Sequence, residues 1–142
     1  MSNIGAIICA ILAGGSTALE AFVNGELGKN TTALTATFIS LVVGVLFFLI
    51  SILVTGDLKS LMNISDINPK LLIGGVLGGL VIYFTVKSVP TLGVSNTLTL
   101  IVVSQMLIGL LIDGIILGQG SMHLYKYIGA ILLVIGTFFI LN

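Results

Sequence analysis

Apolar residues run along this chain in five long blocks with little alternation, and short polar clusters separate the blocks. The pattern predicts helical spans over about 4–24, 32–55, 69–89, 93–117 and 124–141. At about 1.5 Å of rise per residue, such blocks cross a hydrocarbon core of roughly 30 Å. The separators carry helix punctuation. Glu26 and Lys29 mark an interface, and Asn30 or Thr31 can cap the second helix. Gly56, Asp57 and Lys59 close the second span, and a polar stretch that includes Asp66 leads to Asn68. Asn68-Pro69 reads as a cap followed by proline at the first helical position. Pro90 is expected to stop the third helix, with Thr91-Leu92-Gly93 turning the chain. Gly118-Gln119-Gly120 closes the fourth span, and His123, Tyr125, Lys126 and Tyr127 form an interfacial belt. The expected fold is all-α and integral to the membrane, a single transmembrane domain over residues 1–142.

Composition supports this picture. Only 7% of the residues are charged, against roughly a quarter in soluble domains, and mean hydropathy is +1.28. The formal charge is zero and there is no arginine, so no basic face for nucleic acid exists. The N-terminal MSNIGAII lacks the positive head of a signal peptide, so the first apolar block is expected to remain as a span. The lone Cys9, in an apolar run, reads as a small core residue. No nucleophile–base set, metal-ligand cluster or phosphate loop is visible. The sequence therefore predicts neither an enzyme nor a bound metal or cofactor.

One stretch breaks the apolar pattern from inside. GGSTALEAFVNGELG, residues 14–28, places Glu20 at membrane depth, with Thr17, Asn24 and Gly28 on the same helix face. A carboxylate at the bilayer centre costs about 3 kcal/mol even on lenient insertion scales. Glu20 is therefore expected to face a partner helix or a wet cavity. Low dielectric disfavours a lone buried charge, so a proton and a cationic solute would compete there. The alternative is an ion pair with Lys87, which lies toward the same membrane side. The fourth span is the most polar inside, with Asn96, Gln105 and, toward its end, Asp113. Asn24 and Gln105 read either as cavity lining or as interhelical hydrogen bonds, and Asp113 as a helix-end or interface carboxylate. A substrate or proton site is expected from Glu20, Asn24 and Gln105, with Ser16, Thr17 and Asn96 as neighbours. Gly74/Gly78 and Gly75/Gly79 form two interleaved GxxxG pairs, and Gly109 shares a face with Gln105 and Asp113. These glycines, with Ser40 and Gly44, are the expected helix-packing positions.

Five spans put the termini on opposite sides. Lys59, Lys70 and Lys126 fall on the N-terminal side, and Lys29 and Lys87 on the other. That split gives almost no positive-inside bias. Either the chain inserts one way for other reasons, or it inserts both ways and pairs into a ten-span antiparallel homodimer. The second is the expected arrangement, since it builds an inverted repeat from two chains.

Taken in order, several stretches carry a resemblance. They are VNGELGKN after the first span, FISLVVGVLFFL in the second and GGVLGGLVIYFTV in the third. LGVSNTLTLIVVSQMLIGLLID follows in the fourth and YKYIGAILLVIGTFFI in the fifth. Together they resemble the YdcZ family, the short five-span members of the drug/metabolite transporter superfamily. The resemblance implies an EamA-like half-unit completed by an identical chain or a paired homologue. It also implies transport of a small molecule across the cell's inner (plasma) membrane. Family members more often carry Gln at the place of Glu20, so the ionisable group would be a feature of this branch. A looser similarity links Glu20 to the first-span glutamate of small multidrug resistance proteins, whose surrounding motif is missing here. The expected function is a proton-coupled secondary transporter of a small organic solute, with a cation as the natural guess. The alternative is a non-transporting membrane subunit that packs with or regulates a partner protein.

Overall fold

The computed structural model describes residues 3–59, 68–116 and 124–142. The polar stretch with Asp66, Gly118-Gln119-Gly120 and His123 lie outside the described residues. Five helices among the described residues are long and apolar enough to cross a membrane. They are α1 (Asn3–Asn30), α2 (Ala33–Thr55), α3 (Ile73–Leu92), α4 (Val94–Leu111) and α5 (Leu124–Leu141). Large apolar side chains such as Ile11, Phe47, Val54 and Phe138 stand on their exposed faces. Helices of this kind satisfy their own backbone bonds, which suits hydrocarbon as the solvent.

The helix ends follow local chemistry, with some departures from expectation. α1 runs six residues past Asn24. Nothing in GELGKN breaks it, Lys29 lies in its last turn beside the C-terminal dipole, and Glu26 pairs with Lys29. Thr32, rather than Asn30 or Thr31, caps α2: its Oγ1 accepts from the Thr35 amide at 3.1 Å. The expected stop at Gly56 is present in the left-handed conformation, φ 75°. Asn68 caps as expected, its Oδ1 accepting from the Lys70 amide at 3.0 Å. Pro69 opens a short 3-10 turn, Pro69–Leu72, ahead of α3. Pro90 does not stop α3, which continues to Leu92. A proline removes one backbone bond, and membrane helices tolerate that loss. The break falls at Gly93, whose φ of 78° and ψ of 166° only glycine adopts readily. α4 runs on through a π-helical turn, Ile112–Ile116, and α5 spans the expected residues.

The chain divides into two compact units, Met1–Thr91 and Leu92–Asn142. In the first, the buried side chains gather toward one end. They come from the C-terminal half of α1 (Ala21, Asn24), the start of α2 (Ala36, Thr37) and the end of α3 (Thr85, Val86, Val89). Two glycines make this seam. A Cβ on Gly25 would meet Val89 Cγ1, and one on Gly28 would meet Val86 Cγ1, each closer than 3.0 Å. The interleaved glycines of α3 behave differently. A Cβ on Gly74, Gly75 or Gly78 would meet nothing within 4 Å among the described residues, and one on Gly79 would lie 3.4 Å from Leu41 Cδ1. Gly44 and Gly109 are likewise open. Cys9, expected in the core, is exposed on α1.

The second unit pairs α4 with α5. Thr97, Ala130 and Thr137 are buried in it. A groove of about 470 Å³ runs between Leu107, Leu110 and Leu111 on α4 and Ala130, Ile131 and Val134 on α5. Its walls are almost wholly apolar.

Candidate functional site

A hydroxyl inside an apolar helix has a simple way to satisfy itself, by donating to the carbonyl four residues earlier. Most of the threonines in the spans do so. Thr37 donates to Ala33 O, Thr85 to Val81 O, Thr97 to Gly93 O and Thr137 to Leu133 O, all at 2.7–2.8 Å. Thr17 does the same with Ala13 O at 2.9 Å. These groups solve their own solvation problem and recruit no neighbour. A carboxylate has no hydrogen to give, and an amide that donates this way, as Asn30 does to Glu26 O and Asn142 to Phe138 O, still keeps a second hydrogen and its oxygen, so these groups are where a binding site is to be sought.

Glu20 and Asn24 are one turn apart on α1. Asn24 is buried, with 6% of its surface exposed. Its Nδ2 donates to Ser40 Oγ on α2 at 3.1 Å and to Glu20 Oε1 at 3.5 Å. Asn24 thus ties α1 to α2 through a hydrogen bond worth about 0.6 kcal/mol on average within membranes. Glu20 stands beside it on the exposed surface of the unit. The midpoint of α1 falls at Ser16 and Thr17, so Glu20 lies about one turn, roughly 5 Å, beyond it. The alternative partner is absent. Lys29 pairs with Glu26 and Lys126 with Asp113, and no ion pair joins Glu20 to Lys87. Lys87 instead lies 6.0 Å from the Tyr83 ring centroid on its own helix, the outer limit of a cation–π contact. Dry packing does not seal Glu20, nor does a lysine neutralise it. Ser16 and Thr17, one turn earlier on α1, are also exposed.

The structure therefore brings together Glu20, Asn24 and Thr17 from the expected set and adds Ser40. The sequence had marked Ser40 only as a small packing residue. No sequence signal singles it out from the other hydroxyls in the spans; the structure does, by placing its Oγ 3.1 Å from Asn24 Nδ2. Gln105 and Asn96 belong to the second unit. Gln105 is exposed on α4, and Asn96 is half-buried near its start. Asp113 sits in the π-helical turn with Lys126 Nζ 4.0 Å from its Oδ2. π turns of this kind recur at functional sites. Both partners are substantially exposed, so the pair carries small energetic weight. Among the described residues no group of His, Cys, Asp and Glu could hold a metal ion.

Over residues 5–139 the chain matches the family model described as "Putative inner membrane exporter, YdcZ". The chain belongs to the YdcZ family. With five candidate spans, this YdcZ-family chain is a multi-pass inner membrane protein. Membership points to a transporter and away from an enzyme. No curated protein and no solved structure matches the chain significantly.

Proposed function

We propose that the chain is one half of a secondary transporter for a small organic cation, exchanged for protons at Glu20. Two copies in opposite orientations complete it. The observation that carries this reading is the placement of Glu20. It is an acid about one turn from the middle of a membrane helix, exposed in the single chain, with Asn24 as its polar partner. A carboxylate in that position is unfavourable against lipid by about 3 kcal/mol, so a wet vestibule or a second half-unit covers it. Two such carboxylates, one per copy, offer a site where a cation displaces protons. Alternating access then rocks one half-unit against the other around the site. Gln105 and Asn96 are proposed to complete the lining, as neutral hydrogen-bonding groups that orient the solute.

The test uses purified protein in liposomes loaded with a pH-sensitive dye. A gradient of small organic cations should drive proton movement through the wild type. Glu20→Gln should abolish that movement while leaving the protein folded. Equal proton movement through both proteins would remove Glu20 from the coupling.

A further inference from the structure

Residues 92–142 carry one acid and one base, Asp113 and Lys126, and the fold sets them side by side. Asp113 comes from the π-helical turn after α4, and Lys126 from the first turn of α5. Lys126 is the third residue of a span that begins at Leu124, and Asp113 is the third from the end of one that closes at Ile115. At 1.5 Å per residue, both lie roughly 3 Å inside their span ends. That is the depth at which hydrocarbon gives way to lipid headgroups, within reach of a side chain that snorkels. Their separation of 4.0 Å is too long for a hydrogen bond, and the Lys126 and Asp113 side chains stay 48% and 40% exposed. Each charge therefore keeps room for a second partner. The apolar groove between α4 and α5 starts beside them. Leu111 and Tyr127 line it, two residues from Asp113 and one from Lys126 along their helical segments. From there it runs toward Leu107 and Ile135, with Leu111, Ile131 and Ile135 exposed along it.

An apolar groove with opposite charges at one end matches an amphiphile with a slender tail and a zwitterionic head. Tyr127 to Ile135 covers about 12 Å of helix, so a volume of about 470 Å³ leaves a mean cross-section of about 40 Å². A helix with its side chains is about 10–12 Å across and has at least about twice that area. The groove is therefore too narrow to seat a helix of a second copy, and a flexible chain fits it. We propose that the α4–α5 groove binds one phosphatidylethanolamine molecule, its acyl chain in the groove, its phosphate against Lys126 and its ammonium against Asp113. This site is separate from Glu20 and does not depend on the role given to that residue. Lipid tails are as apolar as the groove, so the chain gains only close packing there. The headgroup then decides which lipid stays. An ammonium brings N–H donors to the Asp113 carboxylate, and a choline headgroup has none. A phosphatidylglycerol answers Lys126 but sets a second negative charge near Asp113 with no cation to offset it.

The experiment titrates the full chain, delipidated in mild detergent, with three lipids that share dioleoyl tails: phosphatidylethanolamine, phosphatidylcholine and phosphatidylglycerol. Native mass spectrometry counts the lipid retained. The wild type should keep one phosphatidylethanolamine with an affinity about threefold above either competitor, the scale expected of an exposed charge pair. Asp113→Ala should remove the preference over phosphatidylcholine, and Asp113→Glu, which keeps the charge, should retain it. Ile131→Trp, which places a large ring in the groove, should lower retention of all three. Equal retention of the three lipids by the wild type overturns the proposal, and that ranking is decisive even if a variant fails to fold. Retention that Ile131→Trp leaves unchanged places the lipid outside the groove and also overturns it. A wild-type dimer without bound lipid, split to monomers by Ile131→Trp, assigns the groove to a second copy and overturns it as well.

Discussion

Glu20 and Asn24 are one helical turn apart, yet the fold exposes the first and buries the second. The difference comes from the neighbours. Asn24 meets Ser40 of α2 at 3.1 Å, and the backbone beside it, at Gly25, is pressed by Val89. The glycines of this seam carry a sharp prediction. Valine is stiff at χ1 in a helix, so Val86 and Val89 have little room to turn away from an added methyl. Gly28→Ala should therefore destabilise the first unit by about 1–3 kcal/mol, the usual cost of overpacking. Gly74→Ala, whose new methyl meets nothing within 4 Å among the described residues, should cost the unit nothing. Midpoints of unfolding in mixed micelles would check both. The sequence made Glu20 conspicuous because a charge in an apolar block needs no tertiary information to stand out. It hid Ser40, since one hydroxyl among many in the spans carries no label for the partner it will meet.

At the scale of the element, each helix end is a contest between local breakers. Lys29 and Glu26 keep α1 going past Asn24, and Thr32 begins α2 because its hydroxyl reaches the Thr35 amide. The contest at the end of α3 is decided against proline. Pro90 sits inside the helix, and Gly93 ends it with a backbone conformation that a side chain strains. Gly93→Ala should accordingly lower stability by about 1–3 kcal/mol, whereas Pro90→Ala should leave α3 ending at Leu92. Thermal unfolding of the first variant and amide hydrogen exchange across residues 90–94 of the second would show it. The π turn after α4 brings Asp113 toward Lys126. Because both side chains are partly exposed, Lys126→Gln should change stability by less than about 1 kcal/mol.

For the whole molecule, the question is what covers the faces a single chain leaves bare. Gly74, Gly75 and Gly78 present a strip of α3 where an added Cβ would meet nothing within 4 Å among the described residues. In lipid, where helix association depends on close van der Waals approach, such a strip is suited to a second helix. In the proposed arrangement an opposed copy supplies it and sets a second Glu20 across the proposed vestibule. Two outcomes are expected. Reporters fused to the C-terminus should be active on both sides of the membrane. Gly78→Leu should reduce the dimer fraction counted by single-molecule photobleaching in nanodiscs, with the helical content of each chain intact. Reporters active on one side only would exclude the opposed homodimer.

The sequence by itself determined the solvent, the number of spans and most of their ends. These are properties of local runs: an apolar block of sufficient length must form a helix in hydrocarbon, because its backbone has no other partner. It also determined family membership and the presence of an acid at depth. Tertiary structure alone decided how each helix is rotated about its axis. That rotation chose Gly25 and Gly28 over the α3 glycines, joined Asn24 to Ser40, and left Glu20 free of Lys87. The physical reason is the solvent again. Lipid is as apolar as the side chains it touches, so no polar face betrays which way a spanning helix turns, and only close packing can settle it.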